Sequence, residues 1–544
     1  MPRPSWRLAM ICLAGVLVAT GIALLAGHRS TPVSAADTPP IGVTSTNDTP
    51  DAIAQLGDAG VRSSAVVAEN QSPGTTDWRI GGAPAAGFIE GFADRTYAKA
   101  GEPVDLYVST SASRFRVEAY RIGYYGGLGG RLVWASPYFG GGPQPACALT
   151  AGINLVACDN WTRSLTMQVT QTFTQGDYLL KLIGGGNEQS YVPLTVWDPN
   201  SQAAYVVKND VFTWQAWNAY GGYDFYQGVG TCPAKVYPPC ARARVVSYDR
   251  PYGYGQGAGD FLALEAPLVR YLEQHGVDVA YVNDMTVQDD PDVFVGHHAM
   301  LSLGHDESWS LAERNTVVKA NGVGLNLAFF GAGSILGHVR TQASPLGPDQ
   351  ELVDYRDATA DPLKGTGDPR DLTGNTWSSP PASLPAAGLV GEAYNGALAG
   401  GVRAPMTVAD PSSWIFAGTG LAGGSVVRGL IGSDVDSLEP GPTHPAGVRV
   451  LAHSALDAGQ AQPVSRAGPV FYSDMTYYTD PTGHAGVWDS GTTNWIPALA
   501  DCASPCTSGV VGVMTGNVLR LFGQGPAGER QPSVPNWRDF YPAG

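Results

Sequence analysis

His305, Asp306 and Glu307 follow an apolar run, Ala299 to Leu303, closed by Gly304, and precede Ser308, Trp309 and Ser310. Buried strands of α/β sheets deliver reactive groups at their carboxyl ends, so this placement offers a proton-carrying histidine and two carboxylates for base or metal chemistry. The bland alternative is a loop whose Asp306 or Ser308 caps the next helix. A second cluster, Trp214 to Tyr223 with Phe225 and Tyr226, begins after the preceding strand run; it either lines a substrate pocket or packs a glycine-rich loop. A third, Ser247 to Tyr252, also follows a strand run. Tyr248, Tyr252 and Asp249 offer hard oxygen donors suited to ferric iron, or hydroxyls that only hydrogen-bond.

These groups need a scaffold, and the hydrophobic period changes along the chain. From Gly87 to about Asp198 it is two: Val104, Leu106 and Val108 alternate with polar neighbours, as do Phe115, Val117 and Ala119, and the runs Leu165 to Val169, Tyr178 to Leu182 and Tyr191 to Val196 repeat the pattern. Residues 70–198 therefore read as a β-sandwich. After Asp198, strand runs (Ala203 to Val207, Ala243 to Tyr248, Val277 to Val282, Ala299 to Leu303, Leu325 to Phe330) alternate with helical ones, in which Phe261, Leu264, Leu268 and Leu272 share a face and Leu311 to Ala320 follows. Residues 199–530 thus read as an α/β domain with a parallel sheet covered on both faces, and 531–544 as a tail. Residues 343–411 look like an insertion at the sheet edge.

Leu8 to Gly27 are twenty uncharged residues preceded by Arg3 and Arg7. Residues 1–36 are a membrane anchor or, with Val33 to Ala36 as a small-x-small site, a cleaved secretory signal. Both readings export the rest, and contact with membrane is through this segment alone. Residues 37–69, rich in Thr, Pro, Ala, Asp and Ser, read as a flexible stalk. Cys147 with Cys158, Cys232 with Cys240 and Cys502 with Cys506 are spaced as local disulfides of an oxidising compartment. The net charge of −16 excludes nucleic acid as a partner. The chain has no G-x-S-x-G elbow, Walker loop, H-E-x-x-H or dinucleotide fingerprint. His297 and His298 precede the strand run and fall at its other end, where a structural role is expected.

The stretches Ile89–Ala93, Arg116–Gly127, Trp214–Gly222, Asp249–Tyr252, Gly304–Glu307 and Asn326–Gly331, in this order, resemble the N,N-dimethylformamidase large-subunit family. The resemblance implies an immunoglobulin-like β-sandwich followed by a glutamine-amidotransferase-like, flavodoxin-like α/β domain without a cysteine nucleophile. It also implies hydrolysis of a small formamide by a mononuclear iron held by two tyrosines and one glutamate. Carried over, the metal ligands are Glu307, Tyr252 and, as a substitute, Tyr220, with His305 and Glu307 catalytic. Relatives have a tyrosine where this chain has Trp217, whose indole has no lone pair for a metal. In the stretch Gly432–Asp436, Asp434 replaces a glutamate.

Two functions follow as expectations: an exported hydrolase of small amides that uses iron, or a non-catalytic cell-envelope protein that retains the fold to bind an envelope ligand.

Overall fold

The structure, a computed structural model, describes residues 61–81, 87–229, 241–438, 443–457, 459, 461–462, 471–500 and 508–542. The apolar run Leu8 to Gly27 and the cysteine pairs 232/240 and 502/506 lie outside these residues. Among the described residues no helix is long and apolar enough to cross a membrane, and Cys147 and Cys158 form a disulfide.

The protein is mixed α/β, with many strands in several sheets and few helices. Two facing sheets build the first unit. One holds Ile89–Ala93, Pro103–Thr110 and Leu165–Gln168; the other holds Tyr97–Ala98, Gln189–Val196, Gly176–Gly184, Arg114–Ile122, Gly130–Ala135 and Phe139–Gly140. The residues that alternate in the sequence are its core: Val104, Leu106 and Val108 meet Val117, Ala119, Leu180 and Leu182. A period of two puts one face of each strand inward, and the two inward faces bury each other.

The second unit is organised by seven strands: β1 (Tyr205–Asn209), β2 (Val279–Asn283), β3 (Ala299–Gly304), β4 (Asn326–Gly331), β5 (Arg449–Leu456), β6 (Phe471–Thr479) and β7 (Gly486–Asp489). They lie in the order β2-β1-β3-β4-β7-β6-β5. The first five are parallel, and β6 and β5 extend the sheet antiparallel. Alternate residues of each central strand join different cores. Tyr205, Val207, Tyr281, Leu301 and Phe330 pack on one face with Leu268 and Leu272; Val206, Val282, Met300 and Phe329 pack on the other with Val287, Leu311 and Val317. The chain goes from β1 outward to β2, then crosses back to β3 on the other side of β1. Where the direction reverses, the loops after β1 and β3 diverge and leave a crevice at the strand ends. Two glycines keep it open: Gly304 has φ +45°, and a Cβ on Gly331 would lie 1.8 Å from the Gly304 carbonyl oxygen.

Three expectations need correction. The stalk was expected to run to residue 69, but Val61 is fully buried and Ser64–Asn70 forms a helix, α1, whose Glu69 pairs with Arg131 at 2.7 Å and whose Asn70 accepts the amides of Tyr124 and Tyr125. Val245–Ser247 belongs not to the main sheet but to a small antiparallel one with Gly347–Val353 and Arg340–Ser344. Residues 531–542 are packed rather than trailing: Tyr477 donates to the Gln531 carbonyl and Val450 N to Asn536.

A buried ion pair joins the two units. Arg121, on strand Arg114–Ile122, donates to Glu273 at 2.6 and 3.2 Å, and Tyr281 donates to the same carboxylate at 2.6 Å. Glu273 lies in helix α2 (Ala266–Gln274) of the second unit. Removing one partner of a buried pair strands the other charge. Arg121→Ala is therefore expected to destabilise by about 3–5 kcal/mol in urea unfolding, whereas Arg163→Ala, at an exposed pair with Asp105, leaves the urea midpoint essentially unchanged.

Candidate active site

The strand-end crevice is floored by charge. Lys208, in β1, reaches Asp284, Asp306 at 2.9 Å, Glu313 at 3.0 Å and Asp210 at 3.8 Å, all of them 0–1 % exposed. Asp284 follows β2, Asp306 follows β3, and Glu313 lies in the helix Leu311–Asn321. Burial disfavours the ammonium, but the surrounding carboxylates outweigh it and hold Lys208 well above the usual lysine range. Burial likewise pushes Asp210 and Glu313 well up. Asp210, Asp284 and Asp306 have oxygens within 4.8 Å of one another, a spacing that suits a cation, and the Lys208 ammonium is that cation here.

Asp306 is thus a structural anchor. Besides Lys208 it accepts from Ser302 at 2.6 Å and Trp309 Nε1 at 2.7 Å. The capping role expected of Asp306 or Ser308 belongs to Ser310, which accepts from Glu313 N at 3.2 Å while Glu313 accepts from Ser310 N at 3.3 Å. With Asp306 fixed inward, its neighbours are set on the crevice side. Glu307 is positioned further by Thr213, whose hydroxyl accepts the amides of both Glu307 and Ser308 at 3.0 Å. Thr213 lies in the short helix Val211–Ala216 after β1, so the two diverging loops are stitched together.

Glu307 Oε2 accepts from Trp217 Nε1 at 3.0 Å and lies 3.5 Å from His305 Nε2. Tyr226 stands beside Glu307, and burial first, then that carboxylate, push its hydroxyl well up. The Trp217 and Tyr226 rings stack at 3.6 Å with 8° between planes. On its other side His305 Nε2 lies 3.7 Å from Asp434 Oδ2. Two more carboxyls, Asp260 and Asp436, stand within electrostatic reach of His305; burial lifts them to about 6 and about 7. His305, Glu307 and Asp434 thus lie together, the histidine side chain 19 % exposed.

The structure brings together His305, Glu307 and Trp217, but not the full oxygen set carried over for iron. Tyr220 turns to the first unit and donates to Glu90 at 3.0 Å. Tyr252 packs edge-on against Trp214, 6.4 Å between centroids, and makes no hydrogen bond to Glu307 or His305. Burial first, then Asp260, push its hydroxyl far up. The position facing Glu307 presents an N–H. A tyrosine–tyrosine–glutamate set for iron does not fit these residues. His297 and His298, at the opposite strand end, direct Nδ1 at the backbone carbonyls of Ala203 and Gly523.

Lys208, Thr213 and Asp260 were missed in the sequence. A trace of the first was legible: a lysine, an asparagine and an aspartate closing the apolar run Ala203 to Val207. Lys208→Met removes the one cation among these carboxylates and is expected to destabilise by about 3–5 kcal/mol, read by urea unfolding at neutral pH; a change below about 1 kcal/mol would mean that protons alone neutralise the cluster.

A model of the family described as N,N-dimethylformamidase beta subunit-like, C-terminal, matches residues 116–508. A search of curated proteins finds no match. Among solved structures, the cycloisomaltooligosaccharide glucanotransferase of Paenibacillus sp., complexed with cycloisomaltoheptaose, is 9 % identical with a TM-score of 0.15. The alignment covers 41 % of this chain and 27 % of that enzyme, so the chain spans about a quarter of its length. At that score it informs neither fold nor function. The family match includes most of the first unit's larger sheet, the whole parallel sheet and every residue of the crevice described above: the chain belongs to the N,N-dimethylformamidase beta subunit-like, C-terminal family.

Proposed function

We propose that this chain hydrolyses the C–N bond of a small amide, with His305 carrying the proton between Glu307 and Asp434. The observation that carries this reading is the histidine Nε2 set 3.5 Å from one carboxylate and 3.7 Å from the other at the strand-end crevice, in a chain of a hydrolase family. His305 takes a proton from water as its oxygen bonds to the amide carbon. It then returns that proton to nitrogen as the C–N bond breaks, releasing acid and amine. The two carboxylates stabilise the imidazolium formed between these steps, and the Trp217 N–H keeps Glu307 oriented. The strand order β2-β1-β3-β4-β7 supports a flavodoxin-like scaffold of the glutamine-amidotransferase kind, and the facing sheets support an immunoglobulin-like first unit. The run Leu8 to Gly27 and the Cys147–Cys158 disulfide support export, anchored or cleaved.

A second reading, a non-catalytic envelope-binding protein, is favoured by one observation: Glu307 meets an indole N–H at the position where the family resemblance implies a tyrosine. Amine release from a panel of N-substituted formamides separates the two. The hydrolase reading expects turnover that falls about 100-fold or more in His305→Asn, and a folded wild-type chain that releases no amine leaves the second. The missing donor has its own check. Trp217→Tyr puts a phenol beside Glu307 and is expected to raise the iron content found by elemental analysis from well below one per chain towards one; unchanged content would mean that Tyr252 and Glu307 do not supply the other ligands.

A further inference from the structure

A cavity of about 30 Å³, with room for about two or three waters, lies where the two units meet. Its walls are largely rings: Phe92 and Tyr178 from the first unit, Trp214, Tyr248, Tyr252 and Phe261 from the second. The carboxyl in this wall is Asp177, 4 % exposed, which burial lifts to about 7. Its hydrogen bonding amounts to one long contact, 3.4 Å from Asn209 Nδ2 to Oδ2, and Oδ1 has none. Asn209 donates more closely, at 2.7 Å, to Glu265, which flanks Asp210. Asp177 is therefore the outer end of a run of buried carboxyls whose cation, Lys208, is already shared among four of them. The other cations in reach are committed: Arg121 to Glu273, and Arg95 at the rim to Asp94 and Glu102.

We propose that this cavity binds a small alkylammonium cation, its N–H donating to Asp177 and its methyl groups lying on the aromatic walls. Aromatic faces attract a cation, a buried carboxylate with a spare oxygen needs a donor, and the volume admits only a few heavy atoms. An anion would meet Asp177, and a neutral alkyl group would leave that carboxylate unpaired. Tyr252, Trp214 and Phe261 also line an adjoining cleft that contains Asp260, whose charge is felt by His305. On the amide-hydrolase reading, on which this assignment of the ligand's source rests, the cation is the amine freed by C–N cleavage, protonated at neutral pH.

The test is titration of the full chain with dimethylammonium chloride, followed by broadening of the ligand methyl resonance, against sodium chloride at matched ionic strength. Saturable binding is expected with Kd on the order of 1 mM, weakened about tenfold or more in Asp177→Asn and about two- to fivefold in Phe261→Leu, which keeps the carboxylate and removes one ring. Absence of saturable binding by the folded wild type, or affinities unchanged in the folded variants, overturns the proposal; if Asp177→Asn does not fold, Phe261→Leu decides alone. Binding is read without turnover, so a chain that binds the cation but cleaves no amide keeps this site and loses the hydrolase reading.

Discussion

One ammonium group holds the strand ends together. Lys208 draws Asp284, Asp306 and Glu313 from three successive elements onto β1, and each of those carboxylates anchors something else. Asp284 also accepts the amide of Phe212, fixing the start of the loop that ends in Trp217. Glu313 closes the cap of the helix after the site. Asp306, tied to Lys208, Ser302 and Trp309, lies between the two residues that face the crevice. Charges buried this deeply are tolerated only when paired, so the arrangement selects one geometry for the loops after β1 and β3.

The environment of Glu307 follows from that geometry. With its amide on Thr213, its carboxylate accepting from Trp217 and His305 3.5 Å away, Glu307 is held in place before any ligand arrives. An N–H beside a carboxylate makes that carboxylate a hydrogen-bond acceptor and a partner for an imidazolium. A phenol in the same place would add a second oxygen donor. The side chain at position 217 thus sets what faces the Glu307 carboxylate: here an N–H donor.

The sequence made the strands and the reactive tripeptide legible because both depend on local order: period-two runs for the first unit, apolar runs ended by glycine for β3 and β4. It could not show which of the three acid-base groups turns inward, since that is decided by Lys208, 98 residues before Asp306. Nor could it show that the Val245–Ser247 strand leaves the main sheet, because a short β run reads the same in any sheet. The Tyr220 hydroxyl went to Glu90, on a strand of the other unit, a contact that no spacing encodes. The departure at Trp217 was visible as a residue type; its meaning needed the 3.0 Å contact.

The central claim is that Glu307 is held by hydrogen bonds from Trp217 and its neighbours in a proton-transfer site. An anomalous difference map collected at the iron edge, from crystals of the protein grown with ferrous or ferric salt present, tests it most directly. The account predicts the Trp217 indole nitrogen about 3.0 Å from Glu307 Oε2 and no iron peak bonded to that carboxylate. An iron peak bonded to both Glu307 and the Tyr252 oxygen, with Trp217 swung away, would contradict it.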